Sequence, residues 1–458
     1  MTSPPRILPL LFLAVLIGVC NQGAAASSKA GGAGADLVWT PGWREGPSML
    51  TPRSGAAAIE TGGVIHVIGG VDGKDFLRSG EYARINPDGS LTQWRPGPAL
   101  NVERGFFSVA RHGNHVYAVG GGRGAYGKIL LDSVERAEIR PDGTLGEWSL
   151  EQSRLNTKRR CTKLAVLGNH IYVFGGFGGI LLDSVERAEI WPDGTLGEWE
   201  VLLDSMNLPR YIQGVKAVGG RVYVIGGHDK ERGVGIPDIE WSREDAEGWL
   251  EPWRTAEPLR TGRYGLATAL HGGYLYALGG LDGAAYLDSI EKSRINADGG
   301  LSKWEPTTAL PSRREGFNAL AVNDRLYIIG GTNLDGYKRS VEYATFNEKG
   351  DIGYWATPAE AAAQRAELSR REARRRTLPN EAVIIRHIRT SGYSYLVVKR
   401  DDGLSAWLAA PVTDLPAGTR IRFPDGVIMR NFYSKELKHN FPAIMFVGET
   451  RAVTPKEQ

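Results

Sequence analysis

Six side chains are the best candidates for chemistry in this chain of 458 residues: Phe106, Arg160, Tyr211, Gln213, Tyr264 and Glu315. Each stands one to three residues after an arginine that recurs along the sequence, and the set departs from register, with arginine, tyrosine and glutamate replacing small residues. A guanidinium, two phenols and a carboxyl group brought together suit an anionic or hydroxyl-rich ligand such as an acidic sugar. The same groups could exchange protons with a sugar hydroxyl. Either use requires a scaffold that gathers residues more than 200 positions apart onto one surface.

The pattern around them supplies that scaffold. A diglycine recurs at Gly69-Gly70, Gly120-Gly121, Gly175-Gly176, Gly226-Gly227, Gly279-Gly280 and Gly330-Gly331, at intervals of 51, 55, 51, 53 and 51 residues. Each doublet ends a short β-branched or aromatic run such as Val64–Ile68 or Arg325–Ile329, which reads as a strand. An arginine stands 16 residues before each doublet: Arg53, Arg104, Arg159, Arg210, Arg263 and Arg314. A glutamate stands 13 residues before a tryptophan in each unit: Glu81, Glu135, Glu186, Glu240, Glu291 and Glu342, with Trp94, Trp148, Trp199, Trp253, Trp304 and Trp355. Pro-Asp-Gly turns lie between them in three units, at Pro87, Pro141 and Pro192, and such turns join antiparallel strands. Each unit therefore holds about four short strands, and four strands repeating at this period make one propeller blade.

In its diglycine after an apolar strand, the aromatic three residues before it (Tyr117, Tyr172, Tyr223, Tyr276, Tyr327, with His66 in the first unit) and the later tryptophan, the chain resembles the kelch family. The resemblance runs from Trp39 to Trp355 and implies an all-β, six-bladed propeller over residues 37–356. It does not fix a function, because the fold hosts enzymes, ligand binders and interaction modules. The residues common to all units read as scaffold: glycine for the backbone turn near the axis, tryptophan for packing, and the arginine and glutamate for charge-assisted ties within or between blades. Trp43-Arg44-Glu45-Gly46-Pro47 repeats the form of Trp94-Arg95-Pro96-Gly97-Pro98, so an N-terminal strand is expected to join the last blade and fasten the ring. A seven-bladed ring is the lesser alternative, and the place of Trp355 stays open.

In an antiparallel blade the start of the first strand and the end of the second share one face. The six candidate residues should therefore meet the loops after the diglycines: Asp72 to Phe76, Arg123 to Lys128, His228 to Arg232, Asp282, and Asn333 to Lys338. A shallow mixed-charge pocket over the axis follows, more basic near blades two to four. The expected function is an exported, non-catalytic binding protein whose propeller face takes a carbohydrate or an envelope protein. The enzyme alternative follows from another resemblance. Bacterial periplasmic kelch propellers include sialic-acid mutarotases, and Arg160, Tyr211, Tyr264 and Glu315 would be the catalytic set. No metal or other cofactor is expected. The eight histidines do not cluster as the ligands of a kelch-like copper oxidase would, and Gly121-Gly122-Arg123-Gly124 lacks the helix and Lys-Ser/Thr of a phosphate loop.

The ends of the chain carry different signals. Residues 1–26 read as a secretory leader: Arg6 is a positive start, Leu8 to Val19 is apolar but short, and Ala24-Ala25-Ala26 offers a cleavage site. A periplasmic or secreted location follows, with no transmembrane segment. A lipoprotein carried on Cys20 is the alternative, which Ile17-Gly18-Val19 before it fits poorly. With Cys20 removed, Cys161 has no internal partner. Residues 357–378 form a basic linker helix that opens with a capping box at Thr357-Pro358-Ala359-Glu360. Residues 381–453 return to strands. They resemble small OB-like domains of bacterial periplasmic proteins at Tyr393-x-Tyr395-Leu396, Trp407 to Pro411 and Met429 to Leu437. That resemblance implies a barrel with a stacking face of Tyr393, Tyr395, Trp407, Tyr433 and Lys435. Export makes nucleic acid an unexpected ligand. The net charge of 55 minus 52 points to no polyanion. The 60 glycines, about twice ordinary usage, go with 42% apolar residues, so neither disorder nor collagen explains them.

Overall fold

A computed structural model describes residues 37–229, 234–283, 285–333, 335–376, 380–400 and 405–453. The leader with Cys20, part of the loop from His228 to Arg232, and the turn at Asp402-Gly403 lie outside the described residues.

Residues 38–356 form six antiparallel sheets arranged as a propeller. The first blade is Ala57–Thr61, Val64–Ile68, Gly80–Arg84 and Arg95–Gly97. The next four blades repeat that order, each strand pairing with the one before it. The first strand of every blade touches the first strand of the next, and Asn318–Val322 of blade six touches Ala57–Thr61 of blade one. These six inner strands therefore surround a central axis.

The sixth blade closes the ring. Its fourth place is taken by Arg44–Glu45, paired through Arg44↔Tyr343 and Glu45↔Glu342. Ile352–Ala356 stays in the same sheet and pairs with Val38–Pro41. The seven tryptophans are thereby sorted. Trp43 Nε1 donates to Ala309 O at 2.8 Å, as Trp94 Nε1 donates to Pro47 O at 2.8 Å, whereas Trp355 is 53% exposed. Trp43, not Trp355, is the sixth packing tryptophan.

Three sets of contacts repeat around the ring and explain the repeated residues. First, the second glycine of each doublet donates its N–H to the carbonyl of the next blade's arginine, as Gly70 does to Arg104 O at 2.9 Å, and Gly331 closes the set on Arg53 O at 2.9 Å. Glycine is required here. Gly69 has φ 59°, and a Cβ on it would lie 2.6 Å from Arg104 O. Second, each tyrosine of the diglycine strand donates to a turn carbonyl in the next blade, from Tyr117 to Gly194 O (2.7 Å) round to Tyr327 to Gly89 O (2.7 Å). Third, each arginine is buried and binds within its own blade, as Arg104 does to Gly120 O, Ser133 O and Glu135. The arginine–glutamate pairs lie at 2.5–2.9 Å in five blades, and Arg210 pairs with Glu240 in the same way. In blades one to five the glutamate also accepts two backbone N–H groups from the segment entering the blade, such as Asn101 and Val102 on Glu135. A buried charge held by a partner and by backbone donors is satisfied, and it would be costly to orphan.

After the propeller, Pro358–Arg376 is a helix. Its start is a reciprocal capping box: Thr357 N donates to Glu360 Oε2 (2.9 Å) and Glu360 N to Thr357 Oγ1 (3.3 Å). The helix touches Val38–Pro41 and Ile352–Ala356, and Ala361 is fully buried, so it is not a wholly solvated spacer. Beyond it lies a mixed seven-stranded sheet. The order is Val427–Ser434, His439–Phe446, Ser405–Ala410, Ser394–Lys399, Asn380–Arg389, Arg420–Phe423, Arg451–Ala452, with one parallel pair. The two end strands do not pair with each other, so the expected barrel is met only as a mixed β sheet. Val427–Ser434 is a strand that the sequence reading did not separate.

Candidate functional site

The first-strand entries and the diglycine loops do meet. The residue after each repeat arginine bridges the residue after the doublet: Ser54↔Val71, Gly105↔Gly122, Arg160↔Phe177, Tyr211↔His228, Tyr264↔Leu281 and Glu315↔Thr332. Four of the six candidates therefore ring the axis on one face.

Directly beneath, the backbone closes a cycle. Gly55, Phe106, Cys161, Ile212, Gly265 and Gly316 each donate to the carbonyl of the preceding member, and Gly55 donates to Gly316 O, at 2.6–3.1 Å. All six have φ between 55° and 64°. Phe106, Cys161 and the β-branched Ile212 hold a left-handed conformation that favours glycine, so the cycle stores strain at the axis. Phe106 is thus a member of this ring and packs edge-on to Phe76, with centroids 6.3 Å apart. Gln213 lies below the face. It is fully buried and donates to Phe174 O at 2.8 Å, and its Oε1 has no hydrogen-bond donor among the described residues. It is a packing residue, because the third place after the arginine has already entered the blade.

Arg160 is partly engaged. Its Nη1 donates to Tyr126 O (2.7 Å) and Gly127 O (3.2 Å), and its guanidinium lies 5.5 Å from the Phe177 centroid. The expected basic bias is reduced accordingly, since Arg123 also pairs with Glu103 at 3.3 Å. Glu315 is the exception. Among the described residues no hydrogen bond or ion pair reaches its carboxylate, and desolvation pushes it up to about 7. Tyr264 is raised, first by burial and then by the Glu315 charge, and Tyr286 is pushed up to about 12 for the same reasons. Tyr211 is raised by burial as well. His228 sits between two of these rings, 5.2 Å from Tyr211 and 4.8 Å from Tyr264 by centroid, both edge-on. Tyr286 and Phe177 were missed from the sequence. Tyr286 stands six residues after Gly280, as Phe76 stands six after Gly70, so alignment of the loops would have found it.

Two concavities flank Arg160. One, of about 830 Å³, lies towards Lys74, Phe76, Phe106, Tyr126 and Tyr337. The other, of about 740 Å³, lies towards Phe177, Ile180, Leu208, Tyr211 and His228. Around them Tyr126 is 83% and Ile180 73% exposed. Among the described residues no group of three or more His, Cys, Asp or Glu is placed to hold a metal ion. No described helix is long and apolar enough to cross a membrane. In the C-terminal sheet Tyr395 is buried and stacked on Phe441 (5.5 Å), and Trp407 packs edge-on to the same ring (5.0 Å). Of the expected stacking face, Tyr393, Tyr433 and Lys435 are exposed, Tyr395 is core and Trp407 is half-buried against it.

Residues 158–187 and 262–292 match the Kelch motif model. These segments are Kelch motifs. They contain Arg159 with Glu186 and Arg263 with Glu291, the pairs described above. Kelch-like protein 28 of Homo sapiens is 32% identical over 164 residues, 35% of this chain and 26% of that protein. Beta-scruin of Limulus polyphemus is 24% identical over 186 residues, 38% of this chain and 19% of that protein. The chain spans about a quarter of the length of the curated relatives it matches. Among solved structures, one described as "Structure of YjhT" aligns with TM-score 0.55 at 15% identity, over 67% of this chain and 98% of that one. That likeness is one of fold.

Proposed function

We propose that this protein is an exported interaction module that docks a protein partner on the diglycine-loop face of its propeller. The observation that carries the reading is the pair of concavities joined at Arg160 and rimmed by exposed Tyr126 and Ile180. Exposed apolar groups beside mixed charge are the composition of a binding surface. The likeness to Kelch-like proteins supports a protein ligand, because Kelch propellers mediate protein interactions. Export rests on the leader-like residues 1–26.

A photo-crosslinker placed at Ile180 should capture one partner in its native envelope extract. The same group at Trp191, on the turn at the opposite end of the blade, should not. Equal capture from both positions would sink the reading.

A second reading rests on Glu315. A carboxyl group pushed up to about 7 beside Tyr211 and Tyr264 is suited to proton exchange, as a sugar mutarotase or epimerase requires. Mutarotation of acidic sugars, followed by NMR, would have to disappear in Glu315→Gln for that reading to stand.

For the C-terminal sheet we propose an OB-like circuit. Ile421↔Ala452 and Arg422↔Arg451 keep the register of Val427↔Phe446 and Ile428↔Met445. Residues 420–434 and 439–452 thus act as one long hairpin whose limb returns to Asn380–Arg389. The parallel pairing of Ser405–Ala410 with His439–Phe446 supports the same reading.

A further inference from the structure

We infer that the axial mouth of the propeller binds an organic ammonium group, with the Glu315 carboxylate as its counter-charge and aromatic rings as its walls. The backbone cycle has two unlike halves. Blades two to four contribute Phe106, Cys161 and Ile212, whereas blades five, six and one contribute Gly265, Gly316 and Gly55 in succession. Each of these bare glycines is covered by a side chain from the following blade. Carbons of the Phe106 ring lie 2.8 Å from the place of a Cβ on Gly55, the Ser54 hydroxyl lies over Gly316, and Glu315 Oε2 lies 2.5 Å from the place of a Cβ on Gly265. Hydrogen-bonded backbone neighbours stand about 5 Å apart. A carboxylate, a hydroxyl and a phenyl ring therefore sit over three consecutive places of the cycle, close enough to share one small ligand.

Glu315 is half-buried at this place, and the basic groups beside it in the chain and in the ring are turned elsewhere. Arg314 enters the blade and pairs with Glu342 at 2.9 Å. Arg160 runs over the blade-two loop, with Cδ 3.1 Å from the place of a Cβ on Gly122 and Nη1 2.6 Å from that on Gly127. The walls are aromatic. Tyr264 directly precedes Gly265, and Leu281 bridges both Tyr264 and Tyr286. On the other side, the concavity of about 830 Å³ reaches the axis at Phe106 and is lined by Phe76 and Tyr337. Tyr264, Tyr286 and Tyr337 are all raised first by burial and then by the Glu315 charge, so the three phenols stand within its field. A carboxylate partly withdrawn from water and left unpaired is costly. An ammonium group supplies the missing charge, and its carbon substituents rest on the rings. The inference needs neither a partner at Ile180 nor turnover at Glu315.

Titration of the intact protein with choline at pH 8, followed by saturation-transfer NMR and calorimetry, tests it directly. Dimethylbutanol, which has the same shape with carbon in place of the charged nitrogen, is the control. Choline should bind saturably and roughly ten-fold more tightly than the alcohol. Glu315→Gln should bring choline down to the level of the alcohol. An arm with Nα-acetyl-lysine amide separates the side chain of a protein from a small quaternary amine as the source of the charge. Removing an unpaired carboxylate leaves the fold intact on this reasoning, and should the variant not fold, the comparison of choline with the alcohol on the wild type decides. Equal binding of choline and the alcohol, binding of neither ammonium probe, or choline binding that survives in Glu315→Gln would overturn the inference. None of these results bears on capture at Ile180, so the two can fail separately.

Discussion

Replacing Pro311 with asparagine should stabilise the propeller. In blades one to five, the residue three before the repeat arginine gives its backbone N–H to Oε2 of the blade's glutamate: Leu50, Asn101, Asn156, Asn207 and Arg260 at 2.6–2.8 Å. In blade six that residue is Pro311, which has no N–H. Glu342 Oε2 is accordingly buried without a hydrogen bond among the described residues. Its pair with Arg314 is also the longest of the set, at 2.9 Å, and its side chain is the most exposed, at 11%. The lost donor thus loosens the whole tie.

A hydrogen bond to a charged group contributes about 1.5–3 kcal/mol. Losing a compatible proline costs about 0.4–1 kcal/mol through the unfolded chain. The expected net gain is about 1–2 kcal/mol, or about 2–4 °C in unfolding temperature for a domain of this size. Asparagine adds a second donor, as Asn101 Nδ2 does to Glu135 Oε2 at 3.0 Å. Pro311→Ala should therefore give part of the gain and Pro311→Asn more. Thermal unfolding of both variants, alone and combined with Glu342→Gln, is the measurement. A Pro311→Asn variant no more stable than wild type, or a gain that persists with Glu342→Gln, would refute the reasoning.

Two further outcomes follow from the shifted groups. Glu315 is protonated more readily in the fold than its ordinary value of 4.5 allows, so its burial penalty is absent below about pH 4.5 and grows as pH rises towards 7. Glu315→Gln should raise stability by about 1–2 kcal/mol at pH 8, after discounting for solvent at the mouth, and by little at pH 4; denaturant titration at the two pH values reads the difference, and an equal effect at both would contradict it. His66 holds the tyrosine place of blade one, with Nε2 3.0 Å from Gly143 O, and burial pushes it down to about 4. Its contribution is intact above pH 6.5 and is lost as pH falls towards 4, so His66→Tyr, which restores a hydroxyl donor, should narrow the stability loss between pH 7 and pH 5; an unchanged pH profile by calorimetry would argue against it.

What could be read from the sequence is what the ring repeats. Arg104, Glu135 and Gly120-Gly121 recur in register because each blade must make the same ties, so their spacing alone led to the propeller, the face and the N-terminal closure. The place of Trp355 stayed open because it keeps the repeat spacing while its packing place is filled by Trp43, some 300 residues away in sequence. Ring closure is a contact between chain ends, and a local period carries no record of it. The C-terminal sheet was harder for a related reason: its strands do not repeat, and the parallel pairing of Leu408 with Met445 has no local signature.

The chemistry is legible only by subtraction. At the rim, departures such as Arg160 and Glu315 are conspicuous in sequence, yet Arg160 is half spent on Tyr126 and Gly127 carbonyls while the Glu315 carboxylate has no hydrogen bond or ion pair among the described residues. A cyclic scaffold thus separates two kinds of information. Residues that hold the ring must agree from blade to blade, whereas residues that give it a use must differ, and they acquire meaning from the neighbour across the axis and not from the neighbour in the chain.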